Sequence, residues 1–236
     1  IELNIILPFN DEEEKLYVAN LAEANKELQE LYDLEGSDKM QILKLLTRLR
    51  QLCLEPRLVY DNIDQPSSKL KACMELIKTM QENKQKVLLF SSFTSVLDLI
   101  AEECQKAGIT YYMLTGSTNK EDRRELVSRF QKDDTTVFLI SLKAGGTGLN
   151  LTSAEAVIHF DPWWNVSAQN QATDRAYRIG QKNNVQVFNL VMKDSVEEKI
   201  IELQKRKKEL ADMFVENNSG GLSQMSKEDI LSLFTM

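Results

Sequence analysis

Residues 136–152 read TVFLISLKAGGTGLNLT, a short apolar run followed directly by a glycine-rich turn. A uniformly apolar run of this length is typical of a strand buried on both faces of a parallel sheet. Three glycines within four positions let backbone amides approach an anion closely, and Lys143 and Thr147 add side-chain donors. A glycine cluster on its own is more often an ordinary structural turn, so the function of this one depends on the rest of the chain.

Four more apolar runs resemble the first, and helical segments separate them. From residue 67 onward the predicted strands cover 86–90, 111–114, 136–140, 156–160 and 185–191. This alternation predicts an α/β fold, with a parallel sheet covered by helices on both faces. Ligands of such sheets gather at the carboxyl ends of the strands. The glycine turn leaves its strand at that edge and therefore lies where a ligand is expected.

The chain divides into three predicted segments. Residues 1–66 form helices and a linker after a short extended start, residues 67–194 form the α/β lobe, and residues 195–236 form a long helix and tail. The chain begins with Ile1 inside a strand-like run, so we expect it to be a fragment of a longer protein.

Composition narrows the class of protein. An apolar content of 42% and a charged content of 28% are ordinary for a soluble globular chain, and no membrane span or signal peptide is visible. The net charge of -7 argues against an isolated nucleic-acid binder but allows a local basic groove. Three separated cysteines predict reduced core residues, and a single histidine gives too few ligands for a His-based metal site. We therefore predict no metal site in this chain.

Residues 171–181, QATDRAYRIGQ, place two arginines three positions apart. Arg175 and Arg178 would share one face of a helix, and paired guanidiniums suit a polyphosphate. Such a pair alone is more often two solvated surface arginines with a partner such as Asp174. The glycine turn upstream favours the phosphate interpretation. The chain has no Gly-x-x-x-x-Gly-Lys-Ser/Thr sequence, however, and so lacks the loop that cradles the β- and γ-phosphates.

Five sequence blocks, in this order, resemble the second RecA-like lobe of Swi/Snf-family ATPases, which are DNA translocases of helicase superfamily two. The blocks are FSSFT (90–94), LTGST (114–118) with Arg123, the turn 141–152, DPWWN (161–165) and 171–181. The resemblance covers essentially the whole chain, and its Trp-Trp-Asn and Arg-Ile-Gly-Gln elements favour this family over RNA helicases. It implies a RecA-like parallel sheet sandwiched by helices, with an N-terminal helical protrusion and interlobe linker and a long C-terminal helix.

The resemblance also implies site residues. Arg175 and Arg178 correspond to arginine fingers that reach the γ-phosphate of ATP held by the first lobe. ATP contacts are implied for Gly148, Asn150 and Gln171. Contacts to the DNA backbone, which carry no sequence information, are implied for Ser92, Gly116, Ser117, Lys143, Gly145, Gly146 and Trp164. Trp164 could equally be a partly buried packing residue.

The implied function is that of the second motor lobe of a double-stranded-DNA-dependent ATPase and translocase, a nucleoprotein remodeller. Mg²⁺-ATP would be bound mainly by the first RecA-like lobe of the same protein, so the chain alone is expected to be inactive. Two alternatives stay open: the helicase lobe of an RNA- or DNA-unwinding enzyme, and a non-hydrolytic nucleic-acid-binding module. We expect a bacterial cytoplasmic protein at the nucleoid, or a nuclear one if the host is eukaryotic. A transcription or nucleoid complex is a further candidate partner.

Overall fold

The computed structural model describes residues 2–33, 39–145, 149, 151–163, 166–174, 185–213 and 226–235. Within these ranges the strands are β1 (Glu2–Leu7), β2 (Val87–Ser91), β3 (Tyr111–Leu114), β4 (Val137–Ser141), β5 (Ala156–His159) and β6 (Gln186–Met192). The helices are α1 (Asp11–Asp33), α2 (Lys39–Leu54), α3 (Ser68–Glu82), α4 (Thr94–Lys106), α5 (Lys120–Lys132), α6 (Leu142–Gly145), α7 (Val166–Thr173), α8 (Val196–Met213) and α9 (Lys227–Leu233). A 3₁₀ turn, Pro56–Leu58, follows α2.

The strands form one six-stranded sheet in the order β1-β6-β5-β2-β4-β3. The pairs β2/β4, β2/β5, β3/β4 and β5/β6 are parallel. The two central strands β5 and β2, and β4 beside β2, are buried over their full length, as expected for strands covered on both faces. The predicted α/β fold with a parallel sheet is confirmed.

The chain groups into two compact units, a sheet unit (Ile1–Ile5 and Leu70–Val191) and a helical unit (Ile6–Lys69 and Met192–Met236). The predicted division into residues 1–66, 67–194 and 195–236 stays a prediction.

The core of the sheet unit consists of apolar side chains from the strands and the flanking helices. The Phe130 ring of α5 lies 5.2 Å from the Phe138 ring of β4, centroid to centroid. On α4 the buried positions recur at helical spacing, and they are Val96, Leu97, Ile100, Ala101 and Cys104. This burial explains why the short apolar runs of the sequence become strands rather than surface segments.

In the helical unit, α1 begins directly after Asn10. The Asn10 side chain accepts hydrogen bonds from the amides of Glu12 (3.0 Å) and Glu13 (2.9 Å), which is N-terminal capping. The first turn of α1 is acidic, and that charge suits the positive end of the helix dipole.

The cysteines Cys53, Cys73 and Cys104 are buried free thiols, as predicted. Burial raises the pKa of the Cys104 thiol to about 12.

Candidate nucleic-acid interface

The carboxyl ends of β2, β3, β4 and β5 lie at one edge of the sheet, because these strands run parallel. The register aligns Ser91 with Ser141, Phe90 with His159, and Leu114 with Ile140. The segments that leave the strands there begin with residues predicted to contact the DNA backbone: Ser92 after β2, Gly116 and Ser117 after β3, and Lys143 and Gly145 after β4. The topology thus brings these five residues to the same edge.

Several predicted site residues lie outside the described part of the chain. They are Gly146, Gly148, Asn150, Trp164, Arg175 and Arg178. Their roles stay predictions. Gln171, predicted to contact ATP, is described and lies exposed on α7.

The glycine-rich turn begins as one helical turn, α6, where the sequence predicts a loop. The side chains of Leu142 and Ala144 are buried, and the Ala144 amide donates to Ser141 Oγ at 3.3 Å. Arg123 of α5 donates to the Ala144 carbonyl at 3.0 Å. These contacts fix the start of the turn, while the side chain of Lys143 between them is exposed. An exposed lysine on a fixed backbone is a suitable donor for a phosphate.

The turn after β3 presents small polar groups to solvent. Its geometry is fixed by the Thr115 amide, which donates to Thr118 Oγ1 at 3.1 Å, and by a 2.8 Å contact between the hydroxyls of Thr115 and Ser117. Gly116 and Ser117 are exposed, and a Cβ added at Gly116 would meet no heavy atom within 4 Å. The protein itself therefore does not require a glycine here, and the space above it is open to a ligand backbone.

Ser92 is engaged within the protein by Asp161, a residue that the sequence analysis did not single out as a site residue. Asp161 accepts hydrogen bonds from Ser91 Oγ (2.6 Å), the Ser92 amide (3.1 Å) and the Ser92 hydroxyl. Its side chain is buried, with 1% of the residue exposed. Asp161 thereby holds the segment after β2 against the end of β5. The sequence signal was an acidic residue directly after a buried strand.

Replacing Asp161 by alanine is expected to destabilise the chain by about 1–3 kcal/mol, because the hydroxyl of fully buried Ser91 loses its acceptor. Urea denaturation of the 236-residue chain measures this difference. The control is Asp98→Ala on the exposed side of α4, which should change stability by less than about 0.5 kcal/mol. Equal stability of the two variants would contradict the role assigned to Asp161.

The histidine at the end of β5 is buried, with 1% of the residue exposed. Its Nε2 lies 2.8 Å from the hydroxyl of Thr173 on α7, and its ring stacks on Phe90 at 5.6 Å between centroids. Burial lowers the pKa of His159 from its ordinary value of 6.5 to about 4, and the nearby Asp161 carboxylate opposes this shift only in part. The imidazole is therefore neutral in the folded protein at neutral pH.

The neutral His159 predicts that mild acid destabilises the chain. The unfolded chain binds a proton near pH 6.5 and the folded chain only near pH 4, so the free energy of unfolding falls as the pH falls through this window. His159 is the only histidine, and we expect its contribution to approach ~1.4 kcal/mol per pH unit in the middle of the window. Urea denaturation of the wild-type and His159→Gln chains at several pH values between these limits isolates the effect. Parallel pH profiles for the two proteins would contradict it.

The described residues contain no group of three His, Cys, Asp or Glu side chains that could hold a metal ion. Within the same ranges, no helix combines the length and apolar character that crossing a bilayer requires.

The chain is similar to known helicase and ATPase domains. Residues 68–180 match the model of the helicase conserved C-terminal domain. The chain is also similar to the crystal structure of the C-terminal part of the Fun30 ATPase domain, at 26% identity and a TM-score of 0.79, over 99% of this chain and 96% of that one. Residues 68–180 form a helicase C-terminal domain, and the chain is similar to the C-terminal ATPase lobes of the Swi2/Snf2 family. The expected RecA-like architecture of this helicase lobe is confirmed.

Two further likenesses show what kinds of protein contain such a lobe. An uncharacterized ATP-dependent helicase of Mycoplasma pneumoniae is 36% identical over 235 residues, which are 99% of this chain and 22% of that protein. The Sulfolobus solfataricus SWI2/SNF2 ATPase core in complex with dsDNA is 30% identical, with a TM-score of 0.79, over 99% of this chain and 49% of that one. The helicase lobe thus spans about a fifth of its Mycoplasma relative and about half of an ATPase core.

Proposed function

We propose that this helicase lobe is the second motor lobe of a double-stranded-DNA-dependent ATPase, which translocates on DNA and remodels nucleoprotein. The observation that carries the proposal is the placement of Gly116, Ser117 and Lys143, exposed, where parallel strands end at one edge of the sheet. The likeness to an ATPase core in complex with dsDNA supports the same assignment.

On this proposal the edge binds the backbone of one DNA strand. Lys143 contributes a positive charge, and Gly116 and Ser117 contribute an unobstructed backbone and a hydroxyl. Ser92, Gly145, Gly146 and Trp164 complete the predicted contacts. Phosphate contacts of this kind position a protein on DNA without reading its sequence. The acidic chain therefore binds DNA through a local donor cluster rather than through its net charge.

ATP is proposed to bind between this lobe and the first lobe of the full-length protein. Gly148, Asn150 and Gln171 contact the nucleotide from this side, and Arg175 and Arg178 stabilise charge that develops on the γ-phosphoryl group. The exposed Gln171 amide suits a polar nucleotide group, whereas the described residues contain no carboxylate cluster for Mg²⁺. We therefore assign the metal mainly to the first lobe, where it neutralises phosphate charge when bound. On this proposal, the chain alone does not hydrolyse ATP.

The two alternatives differ from the proposal in their nucleic acid or in their chemistry. An unwinding helicase lobe would respond to RNA or separate duplex strands, and a binding module would support no ATP turnover. Similarity to Swi2/Snf2 ATPase lobes favours translocation on duplex DNA over both. We further propose a bacterial cytoplasmic protein at the nucleoid, or a nuclear one in a eukaryote, and a transcription or nucleoid complex as its partner.

The DNA-binding edge is tested by Lys143→Ala in the full-length protein. The concentration of duplex DNA that gives half-maximal ATPase stimulation is measured across a salt series, with Lys78→Ala on the exposed face of α3 as the control. Loss of one phosphate contact should weaken DNA binding and reduce the slope of log affinity against log salt by about one. The Lys78→Ala protein should follow the wild type.

A Lys143→Ala protein with the wild-type affinity and salt slope would refute the placement of DNA at this edge. A full-length protein whose ATP turnover ignores DNA would refute the proposed function itself.

A further inference from the structure

Helix α7 ends two residues before Arg175 in the sequence, and a buried histidine attaches it to the sheet. His159 Nε2 and the hydroxyl of Thr173 lie 2.8 Å apart. Thr173 is the last residue of α7, and Arg175 follows it by two positions in the sequence. The contact therefore lies at the point where the helix leads into the arginine-bearing segment.

The hydrogen-bond partners define the direction of this contact. The Thr173 hydroxyl donates to the carbonyl of Gln169 at 3.3 Å, one turn earlier on α7. Its oxygen is then free to accept, so His159 Nε2–H is the donor and Nδ1 is unprotonated. Nδ1 is buried and has no hydrogen-bond partner within the described part of the chain, in agreement with a neutral ring that carries its proton on Nε2.

A second polar contact attaches the same helix to the neighbouring strand. The Gln169 side-chain amide donates to Asn189 Oδ1 of β6 at 3.2 Å, and its oxygen accepts from the Trp163 amide at 3.3 Å. Asn189 in turn donates to Glu2 (2.8 Å) and Asn4 (2.9 Å) of β1. With both Gln169 and Thr173 held, α7 is constrained in rotation as well as in position.

Burying a polar ring has a cost that an apolar residue would avoid. The unpartnered Nδ1 gives up its hydrogen bond to water, whereas a phenylalanine could fill the same place beside Phe90 with no such loss. The property that only the histidine supplies here is the Nε2 donor toward α7. This argues for a role in orientation rather than for packing alone.

We propose that His159 is a positioning residue, which orients the end of α7 through its hydrogen bond to Thr173. Arg175 and Arg178 follow that end in the sequence. The inference rests on the proposed function of those arginines. A displacement of about 1 Å at a group that acts on the transition state can cost up to a hundredfold in rate. Because the group acts on the transition state, the loss should appear in kcat, with KM for ATP little changed.

The test uses DNA-stimulated ATP turnover of the full-length protein. His159→Phe keeps the stacked ring without the donor, His159→Gln places an amide N–H near the position of Nε2, and Thr173→Val removes the acceptor. The matched control is Thr79→Val on α3, where the threonine hydroxyl likewise donates to a carbonyl one turn earlier, Glu75 at 3.0 Å. Thermal unfolding of each variant reports its stability independently.

We expect kcat to fall roughly tenfold to a hundredfold in His159→Phe and in Thr173→Val. The double variant should lose no more than either single one, since both remove the same contact. His159→Gln should recover most of the rate, and Thr79→Val should match the wild type.

A wild-type kcat in a folded His159→Phe or Thr173→Val protein would overturn the inference, as would equal losses in the phenylalanine and glutamine variants. If His159→Phe does not fold, Thr173→Val on the partly exposed end of α7 decides alone. The Arg178→Ala variant distinguishes failure of the positioning role from failure of the finger assignment. An inactive Arg178→Ala protein beside a fully active Thr173→Val protein rejects only the positioning role, whereas a fully active Arg178→Ala protein rejects the finger assignment.

Discussion

Replacing Arg178 by alanine is expected to lower the DNA-stimulated ATP turnover of the full-length protein by a factor of about 10³ or more. An arginine finger stabilises charge that develops on the γ-phosphoryl group in the transition state, and the alanine side chain carries no charge that could do so. Arg175→Ala should have an effect of the same kind. Steady-state ATP hydrolysis with saturating duplex DNA measures both losses.

The matched control is Arg124→Ala, which removes an exposed arginine from α5. It should retain wild-type turnover, and both variants should keep wild-type affinity for DNA, because the fingers are proposed to act on the nucleotide. Near-wild-type turnover of the Arg178→Ala protein would contradict the assignment of Arg178 as a finger.

The largest effect on stability is expected from Lys69→Ala, at about 3–5 kcal/mol. Lys69 Nζ lies 2.7 and 2.8 Å from the two carboxylate oxygens of Glu197, and the two side chains are 0% and 1% exposed. Glu197 also accepts from the Met192 amide at 2.8 Å. Removal of the lysine takes a hydrogen-bonded positive charge away from a buried carboxylate. Urea denaturation of the 236-residue chain gives the change in the free energy of unfolding.

Two comparisons test the reason for this loss. Lys106→Ala breaks an ion pair with Glu103 of the same length, 2.7 Å, but with the lysine side chain 63% exposed, and should cost less than about 1 kcal/mol. Combining Lys69→Met with Glu197→Leu removes both charges and should recover much of the stability. A Lys69→Ala chain no less stable than Lys106→Ala would contradict the account of this pair.

The sequence alone was sufficient to predict five of the six described strands, but not that β1 joins their sheet. Each apolar run predicted as a strand coincides with one within a residue or two, because buried parallel strands are apolar on both faces and need no partner to be recognised. The helices between these runs follow from the same alternation: α4 (Thr94–Lys106) and α5 (Lys120–Lys132) occupy intervals between predicted strands. Local capping and periodicity determine the boundaries of such helices.

The contacts that organise the site depend instead on residues far apart in the sequence. Asp161 reaches Ser91 across 70 positions, and Lys69 reaches Glu197 across 128. No local pattern identifies which polar residue will be buried against which, since the packing of helices and strands in the folded chain decides the pairing. The same holds for His159, which the sequence placed in a strand but could not connect to Thr173. The sequence analysis did not predict the helical start of the glycine turn. The glycines indicate a turn and give no sign that Leu142 and Ala144 are buried.

The most direct test of the motor-lobe assignment is the ATP turnover of the full-length protein, measured at saturating ATP without nucleic acid and with duplex DNA, single-stranded DNA or RNA. We predict that duplex DNA stimulates turnover most strongly and that this stimulation is lost in the Arg178→Ala protein. Turnover that is insensitive to duplex DNA, or that responds best to RNA, would contradict the proposal that this lobe belongs to a double-stranded-DNA translocase.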